Sequence, residues 1–132
     1  RLYKKQHQLS VIKKEIDIIR EFNFLVEQNF KTKHTVIEYA ELLNKSPKTI
    51  SNIFSKINSK SPLKYIQERI MLEARRLLYY TDKPIKEIAY EIGYDDIQTF
   101  SRFFKTQEGV SPSEYKEKRT LGTIANPLGI IT

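Results

Sequence analysis

The stretch that decides the fold is residues 85–115, IKEIAYEIGYDDIQTFSRFFKTQEGVSPSEY. It opens as a short helix with apolar residues at helical spacing, and Gly93 then ends that helix as a residue suited to the left-handed conformation. A second helix runs to about Gln107 and ends at Gly109, and Ser111-Pro112 starts another, because Ser is a favoured N-cap and Pro is tolerated at the first helical position. A helix, a tight turn and a second helix predict a helix-turn-helix.

The same arrangement occurs earlier in the chain at an offset of 50 residues. The later matches are Ile50, Ser51, Ile53 and Phe54 with Phe100, Ser101, Phe103 and Phe104, and Ser61, Pro62 and Tyr65 with Ser111, Pro112 and Tyr115. Upstream, Tyr39, Ala40 and Leu43 match Ile88, Ala89 and Ile92 at an offset of 49, so the second turn holds one extra residue. The paired alanines predict close crossing of the two helices in each copy.

The fold class predicted is all-α, with two helix-turn-helix (homeodomain-like) subdomains joined by a connecting helix and about seven helices. Residues 1–14 are a basic linker or a frayed helix start, and residues 15–61 form the first subdomain, in which Thr35 and Glu38 have capping-box spacing. The connecting helix takes residues 62–81, the second subdomain residues 82–118 and a C-terminal tail residues 119–132. The core stripe of the connecting helix is Leu63, Ile66, Ile70, Ala74 and Leu77.

The net charge, the apolar content and the absence of cysteine limit the kinds of partner and site that this chain can have. The 132 residues carry a net charge of +7, which favours nucleic acid first and an anionic membrane surface second. No apolar run approaches the roughly 18 residues of a transmembrane helix. The absence of cysteine excludes disulfides and thiolate zinc sites and is compatible with a cytoplasmic location. Because the first residue is Arg rather than Met, we expect a fragment of a longer protein.

The basic residues concentrate in the second helix of each copy. Residues 45–67 contain five lysines and no acid, and residues 97–107 contain Arg102 and Lys105 and no acid. A lysine run alone is usually a solvated face. Its coincidence with both second helices, the ones that enter the major groove in helix-turn-helix proteins, favours phosphate contact.

The quoted stretch resembles the signature of AraC/XylS-type bacterial transcription regulators, and the match extends from about Phe22 to Lys118, including Ala74-Arg75-Arg76-Leu77-Leu78 in the connecting helix. The resemblance implies sequence-specific binding of double-stranded DNA, with two recognition helices in successive major grooves. It further implies RNA polymerase as a partner and a separate sensing or dimerisation domain elsewhere in the full-length protein. It implies no enzyme activity, no cofactor and no membrane partner.

The resemblance also assigns base contacts by position, and these are Lys48, Ser51, Asn52, Ile97, Gln98, Ser101 and Arg102. The acid-free basic stretches supply the expected phosphate contacts, which are Lys45, Lys56, Lys60 and Lys105. Two positions depart from the family pattern. Ile97 cannot hydrogen-bond and would contact a thymine methyl or no base. Ser59 stands where Gly is usual, so Asn58 or Ser59 would take the left-handed conformation.

Two other classes of function are an enzyme and a helical interaction module. An enzyme is disfavoured because His7 and His34 have no ligand partner at helical spacing, no metal set is present, and Asp95 and Asp96 fit an N-cap better than a catalytic pair. A helical protein-interaction module with non-specific nucleic-acid affinity is the alternative. The apolar residues of the tail could dock a partner, pack on this domain or be disordered.

Overall fold

A computed structural model describes residues 2–57 and 60–122 of the chain. Across that part of the chain it has seven helices and no strand, which confirms the predicted all-α class. The helices are α1 (Leu2–Asn29), α2 (Val36–Leu42), α3 (Pro47–Ile57), α4 (Pro62–Tyr80), α5 (Ile85–Glu91), α6 (Ile97–Glu108) and α7 (Pro112–Leu121). None of these helices is long and apolar enough to span a membrane. The expectation for Asn58 and Ser59, and most of the predicted tail, lie outside the described residues.

The chain divides into two compact units, Arg1–Gln67 and Glu68–Thr132, and the division falls inside α4. Each unit contains one predicted helix-turn-helix, α2–α3 in the first and α5–α6 in the second. The connecting helix is therefore shared, with its first turns in one unit and its remainder in the other.

Aromatic packing forms the core of the first unit. The Phe22 ring of α1 is fully buried and lies 4.9 Å from the Phe54 ring of α3 and 5.5 Å from the Tyr39 ring of α2, centroid to centroid. Tyr65, in the first turns of α4, is 6.2 Å away. The buried Tyr39 hydroxyl donates to the Lys33 carbonyl at 2.8 Å, and burial raises the pKa of this phenol. One ring thus joins all four helical segments of the unit.

The second unit repeats this design with different rings. Phe104 of α6 lies 6.0 Å from Phe100 and 5.5 Å from Tyr115 of α7, and burial raises the pKa of Tyr115 to about 12. Tyr94, in the turn before α6, lies 5.4 Å from Phe100 and 5.8 Å from Phe103. The turn is therefore anchored to the recognition helix by an aromatic residue that has no counterpart in the first unit.

The first helix begins at Leu2, earlier than the start at about Glu15 that apolar spacing indicates, so of the two alternatives for residues 1–14 the helical one, not the linker, describes residues 2–14. That prediction rested on buried apolar periodicity, which marks only the half of the helix that packs on the core. Residues 2–14 are all exposed, and they contain neither Gly nor Pro, so nothing interrupts helical hydrogen bonding.

Two smaller differences from the predicted structure concern the start of α4 and the end of α7. Leu63 is 44% exposed, unlike the other members of the predicted α4 stripe, because Pro62 beside it takes the buried position in the first turn, four residues before the buried Ile66. The last helix continues past Lys118 to Leu121, where Gly122 takes a positive φ of 69°. The first three residues of the predicted tail therefore belong to a helix.

Candidate nucleic-acid interface

The turn of each helix-turn-helix has one left-handed residue and an equivalent backbone hydrogen bond from the residue after it. In the first unit Asn44 has φ 54° and the Lys45 amide donates to the Ala40 carbonyl at 2.9 Å. In the second, Gly93 has φ 99° and the Tyr94 amide donates to the Ala89 carbonyl at 2.9 Å. These equivalent residues are 49 apart, as the upstream sequence match predicts. Asn is one of the few residues other than Gly that adopts this conformation readily.

The recognition helices α3 and α6 are capped by equivalent side chains 50 residues apart. The Thr49 amide donates to Ser46 Oγ at 3.1 Å, and the Thr99 amide donates to Asp96 Oδ1 at 2.7 Å. The bond from the Thr99 amide, with a second from its hydroxyl, holds the pKa of Asp96 below its ordinary value. The extra residue therefore lies between the left-handed residue and the N-cap, where Tyr94 and Asp95 replace the single Lys45.

Small residues lie where α2 packs on α3 and α5 on α6. Ala40 is 1% exposed and Ala89 is fully buried, which confirms the predicted burial of both. A side chain longer than a methyl group at either position would enter the space between the two helices. The alanines therefore set how closely each recognition helix lies on its supporting helix.

The recognition helix of the first unit buries one face and exposes the other. Its buried residues are Ile50, Ile53 and Phe54, and the base contacts expected from the family pattern, Lys48, Ser51 and Asn52, are all exposed. Lys45, in the preceding turn, is exposed as well. Because Lys48, Ser51 and Asn52 are three and four residues apart, they share one face of α3 that apolar packing leaves open to a partner.

Two of the expected phosphate contacts in the first unit already have intramolecular partners. Lys56 Nζ lies 3.1 Å from Glu15 Oε2 on α1, while 62% of the Lys56 side chain remains exposed. Lys60 is exposed and also engages another group of the chain. A phosphate would share or replace these partners, whereas Lys45 and Lys48 have none in the described part of the chain.

The α6 surface is less uniform. Gln98, Arg102 and Lys105 are exposed, but Ile97 and Ser101 are half-buried. Ile97 is the first residue of the helix, directly after the Asp96 cap, and Ser101 adjoins the buried Phe100. The structure therefore places all the expected α6 residues on the same helix, with three of the five fully available to a ligand.

The structure adds two basic residues that sequence reasoning missed. Arg119 of α7 donates from Nη1 to the carbonyls of Leu78, Tyr79 and Thr81 at 3.1–3.2 Å, which caps the C-terminal end of α4. Lys116 Nζ donates to the Lys83 carbonyl at 2.9 Å. The only available signal was a pair of basic residues three apart near the end of the last helix, which resembles an ordinary solvated face. Both residues hold α7 against the loop between α4 and α5.

Known proteins share these features of sequence. A family model described as "Helix-turn-helix domain" matches residues 39–118. The arabinose operon regulatory protein of Escherichia coli is 32% identical over 92 residues, which are 70% of this chain and 30% of that protein.

Solved structures agree in fold. The C-terminal domain of AraT, a response regulator from Geobacillus stearothermophilus, superposes with a TM-score of 0.71 at 33% identity, covering 83% of this chain and 88% of that one. The DNA-binding domain of the global transcriptional factor AdpA, solved in complex with a target DNA, has a TM-score of 0.64 at 22% identity and covers 81% of this chain and 94% of its own.

This chain is much shorter than the curated relatives that it matches. It spans between 12% and 47% of eight curated relatives that it matches. The match of the helix-turn-helix model over more than half of the chain, at the residues that form both turns and both recognition helices, makes this chain a member of the AraC/XylS family of helix-turn-helix transcription regulators.

Proposed function

We propose that this chain is the sequence-specific double-stranded DNA-binding module of a bacterial transcription regulator, with α3 and α6 entering successive major grooves. The observation that carries the proposal is the pair of capped helices, each with a buried apolar face and an exposed polar and basic face. An α-helix presented in this way fits the major groove, where base pairs display distinct donors and acceptors. The AdpA domain, which has this fold, was solved on a target DNA.

The chemistry of the exposed side chains divides their roles. Asn52 and Gln98 can each pair through two hydrogen bonds with adenine, and Arg102 can pair in the same way with guanine. Lys48, Ser51 and Ser101 are the remaining polar base contacts, and Ile97 offers its apolar surface to a thymine methyl. Lys45, Lys56, Lys60 and Lys105 contact phosphates, which position the protein without reading sequence.

The partners of the full-length protein follow from this role. DNA binding by a transcription regulator acts through RNA polymerase in the cytoplasm, and a sensing or dimerisation domain outside this chain controls it. The chain covers about a third of relatives such as the E. coli regulator YdiP, at 35%, which supports this expectation of further domains. The family assignment carries no catalytic role for this module.

Selection of bound sites from random duplexes tests the proposal. We expect one enriched asymmetric site with two contacted segments about 10 base pairs apart, bound by one chain, because two recognition helices in one chain need no palindrome. Hydroxyl-radical footprinting should show two protected patches one helical turn apart. The absence of retardation for every duplex pool, or protection only as a pair of chains on an inverted repeat, would contradict it.

Single substitutions then separate readers from phosphate contacts. Gln98→Ala or Asn52→Ala should cost about 1–3 kcal/mol on the selected site and relax preference at one base pair. Lys45→Ala should weaken selected and random duplexes alike. If the Gln98 and Asn52 variants lose affinity equally for both kinds of duplex, these side chains do not read bases. Equal loss on selected and random duplexes would favour the alternative function, a helical interaction module with non-specific nucleic-acid affinity.

A further inference from the structure

Basic charge is distributed unequally between the two units. The first unit, Arg1–Gln67, contains 13 Lys or Arg and 6 Asp or Glu, whereas the second, Glu68–Thr132, contains 10 of each. The whole net charge of +7 therefore lies in the first unit, and the second unit is neutral overall.

Contacts within the second unit also occupy most of its basic side chains. Arg75 pairs with Glu108 at 2.7 Å, Arg76 with Glu73 at 2.6 Å, and Lys83 with Glu91 at 2.8 Å. Lys86 lies over the Tyr90 ring, Lys116 and Arg119 bind backbone carbonyls, and Arg69 and Lys118 have partners too. Among residues 68–122, Arg102 and Lys105 are the basic side chains with no ion pair, hydrogen bond or ring contact. Both lie on α6.

Acidic residues accompany these two at the start of α6. Asp95 and Asp96 are exposed immediately before the helix, and the bonds from Thr99 lower the pKa of Asp96 and so favour its carboxylate form. The equivalent turn of the first unit has Lys45 and the neutral cap Ser46. A phosphate approaching α6 therefore meets like charge that a phosphate approaching α3 does not.

We propose that the two units divide the work of DNA binding: the first holds any duplex through phosphate contacts, and the second docks only where its base contacts match. The inference rests on the proposed function. Affinity for random DNA comes almost entirely from neutralised phosphates and the counterions they release. The first unit has a net positive charge for this, whereas the second is neutral overall and has only Arg102 and Lys105 outside such contacts. Base contacts made by α6 must therefore compensate for its weak attraction to phosphate.

Matched single neutralisations in the full chain test this division. For Lys45→Gln, we expect the slope of log affinity against log salt on random duplex to become shallower by about 0.9, the value for one phosphate contact. Arg102→Gln should leave that slope nearly unchanged but lower affinity for the selected site at least tenfold. Lys86→Gln, a matched charge change away from both recognition helices, should alter neither quantity.

A gain of charge provides an independent test. Asp95→Asn with Asp96→Asn removes both acids while Asn retains the N-cap acceptor, so the fold is kept. We expect several-fold tighter binding to random duplex and an equal loss of discrimination between selected and random DNA. Thermal melting checks that each variant remains folded.

The outcomes distinguish this inference from the proposed function. If the unaltered chain retards no duplex, the proposed function fails. If it binds, but Lys45→Gln and Arg102→Gln flatten the random-duplex slope equally, or the Asp95→Asn, Asp96→Asn chain binds random duplex no more tightly, only the division between the units is overturned.

Discussion

Arg119 offers the sharpest test of how the second unit is held together. Its side chain is 21% exposed, and Nη1 lies 3.1–3.2 Å from three carbonyls at the end of α4, with the Asp82 carboxylate 3.7 Å from Nη2. Arg119→Met retains the apolar stem and removes every donor. The carbonyls then lose a charged partner at a helix terminus, where positive charge is favourable.

The expected magnitude follows from the geometry. A hydrogen bond to a charged group contributes about 1.5–3 kcal/mol, but one nitrogen has two hydrogens for three acceptors, and holding an Arg side chain in place costs about 2 kcal/mol of rotamer entropy. Solvent also reaches the freed carbonyls. We therefore expect Arg119→Met to destabilise the unit by about 2–3 kcal/mol, and Arg119→Lys, which keeps the charge, by about half as much.

Urea unfolding followed by the near-ultraviolet circular dichroism of the tyrosines measures this loss. Arg20→Met is the matched control, because Arg20 is 78% exposed and its nearest carboxylate oxygen, on Asp17, is 3.8 Å away. Such exposed pairs contribute about 0–1 kcal/mol. If Arg119→Met unfolds at the same urea concentration as Arg20→Met, the contacts of Arg119 do not stabilise the fold.

Three further predictions concern the turns and the first core. Ala89→Leu should cost about 1–3 kcal/mol through overpacking and abolish specific DNA binding; an unchanged melting temperature would show that α5 and α6 tolerate separation. Because the folded pKa of Asp96 is lowered, its stabilisation is complete above the unfolded pKa of about 3.9 and is lost as pH falls through the folded value. Asp96→Asn should therefore flatten the acid side of the plot of melting temperature against pH, and an equally steep acid side in the variant would contradict this. Tyr39→Phe leaves the Lys33 carbonyl without its donor and should cost about 0.5–1.5 kcal/mol in urea unfolding, with DNA affinity retained in the folded variant; equal stability would mean that water replaces the phenol.

Local sequence signals predicted the helices of the turn regions well because their causes are local. Thr35 and Glu38 form the predicted capping box, and Gly93 and Gly109 take the left-handed conformation that ends a helix. The repeat offset placed Ala40 and Ala89 in equivalent buried positions. The capping box and the left-handed glycines depend only on residues near them in sequence, and the repeat extends the same local pattern to a second place in the chain.

Contacts between distant residues could not be predicted in the same way. Arg119 contacts carbonyls about 40 residues earlier, and Lys56 pairs with Glu15. Nothing in the pattern of either basic residue distinguishes it from a solvated one. The start of α1 was missed for a related reason, since an exposed helix has no buried stripe to reveal it. The contacts expected of Lys48, Asn52, Gln98 and the other site residues stay predictions, because exposure alone does not identify a DNA contact.

The exposed half of α1 should lose its helical structure independently of the cooperative unfolding of the two cores. Residues 2–14 are helical without burying any side chain, and helices of roughly 12–15 residues or fewer are marginal in water without packing. Amide hydrogens there should exchange with solvent near the rate of a fraying end, while those around Phe22 and Val26 exchange only when the first unit opens. Far-ultraviolet ellipticity would consequently decline on gentle heating before either core unfolds. With no tryptophan and eight tyrosines in the chain, the ring signal of the phenols is the reporter that registers only the loss of packing.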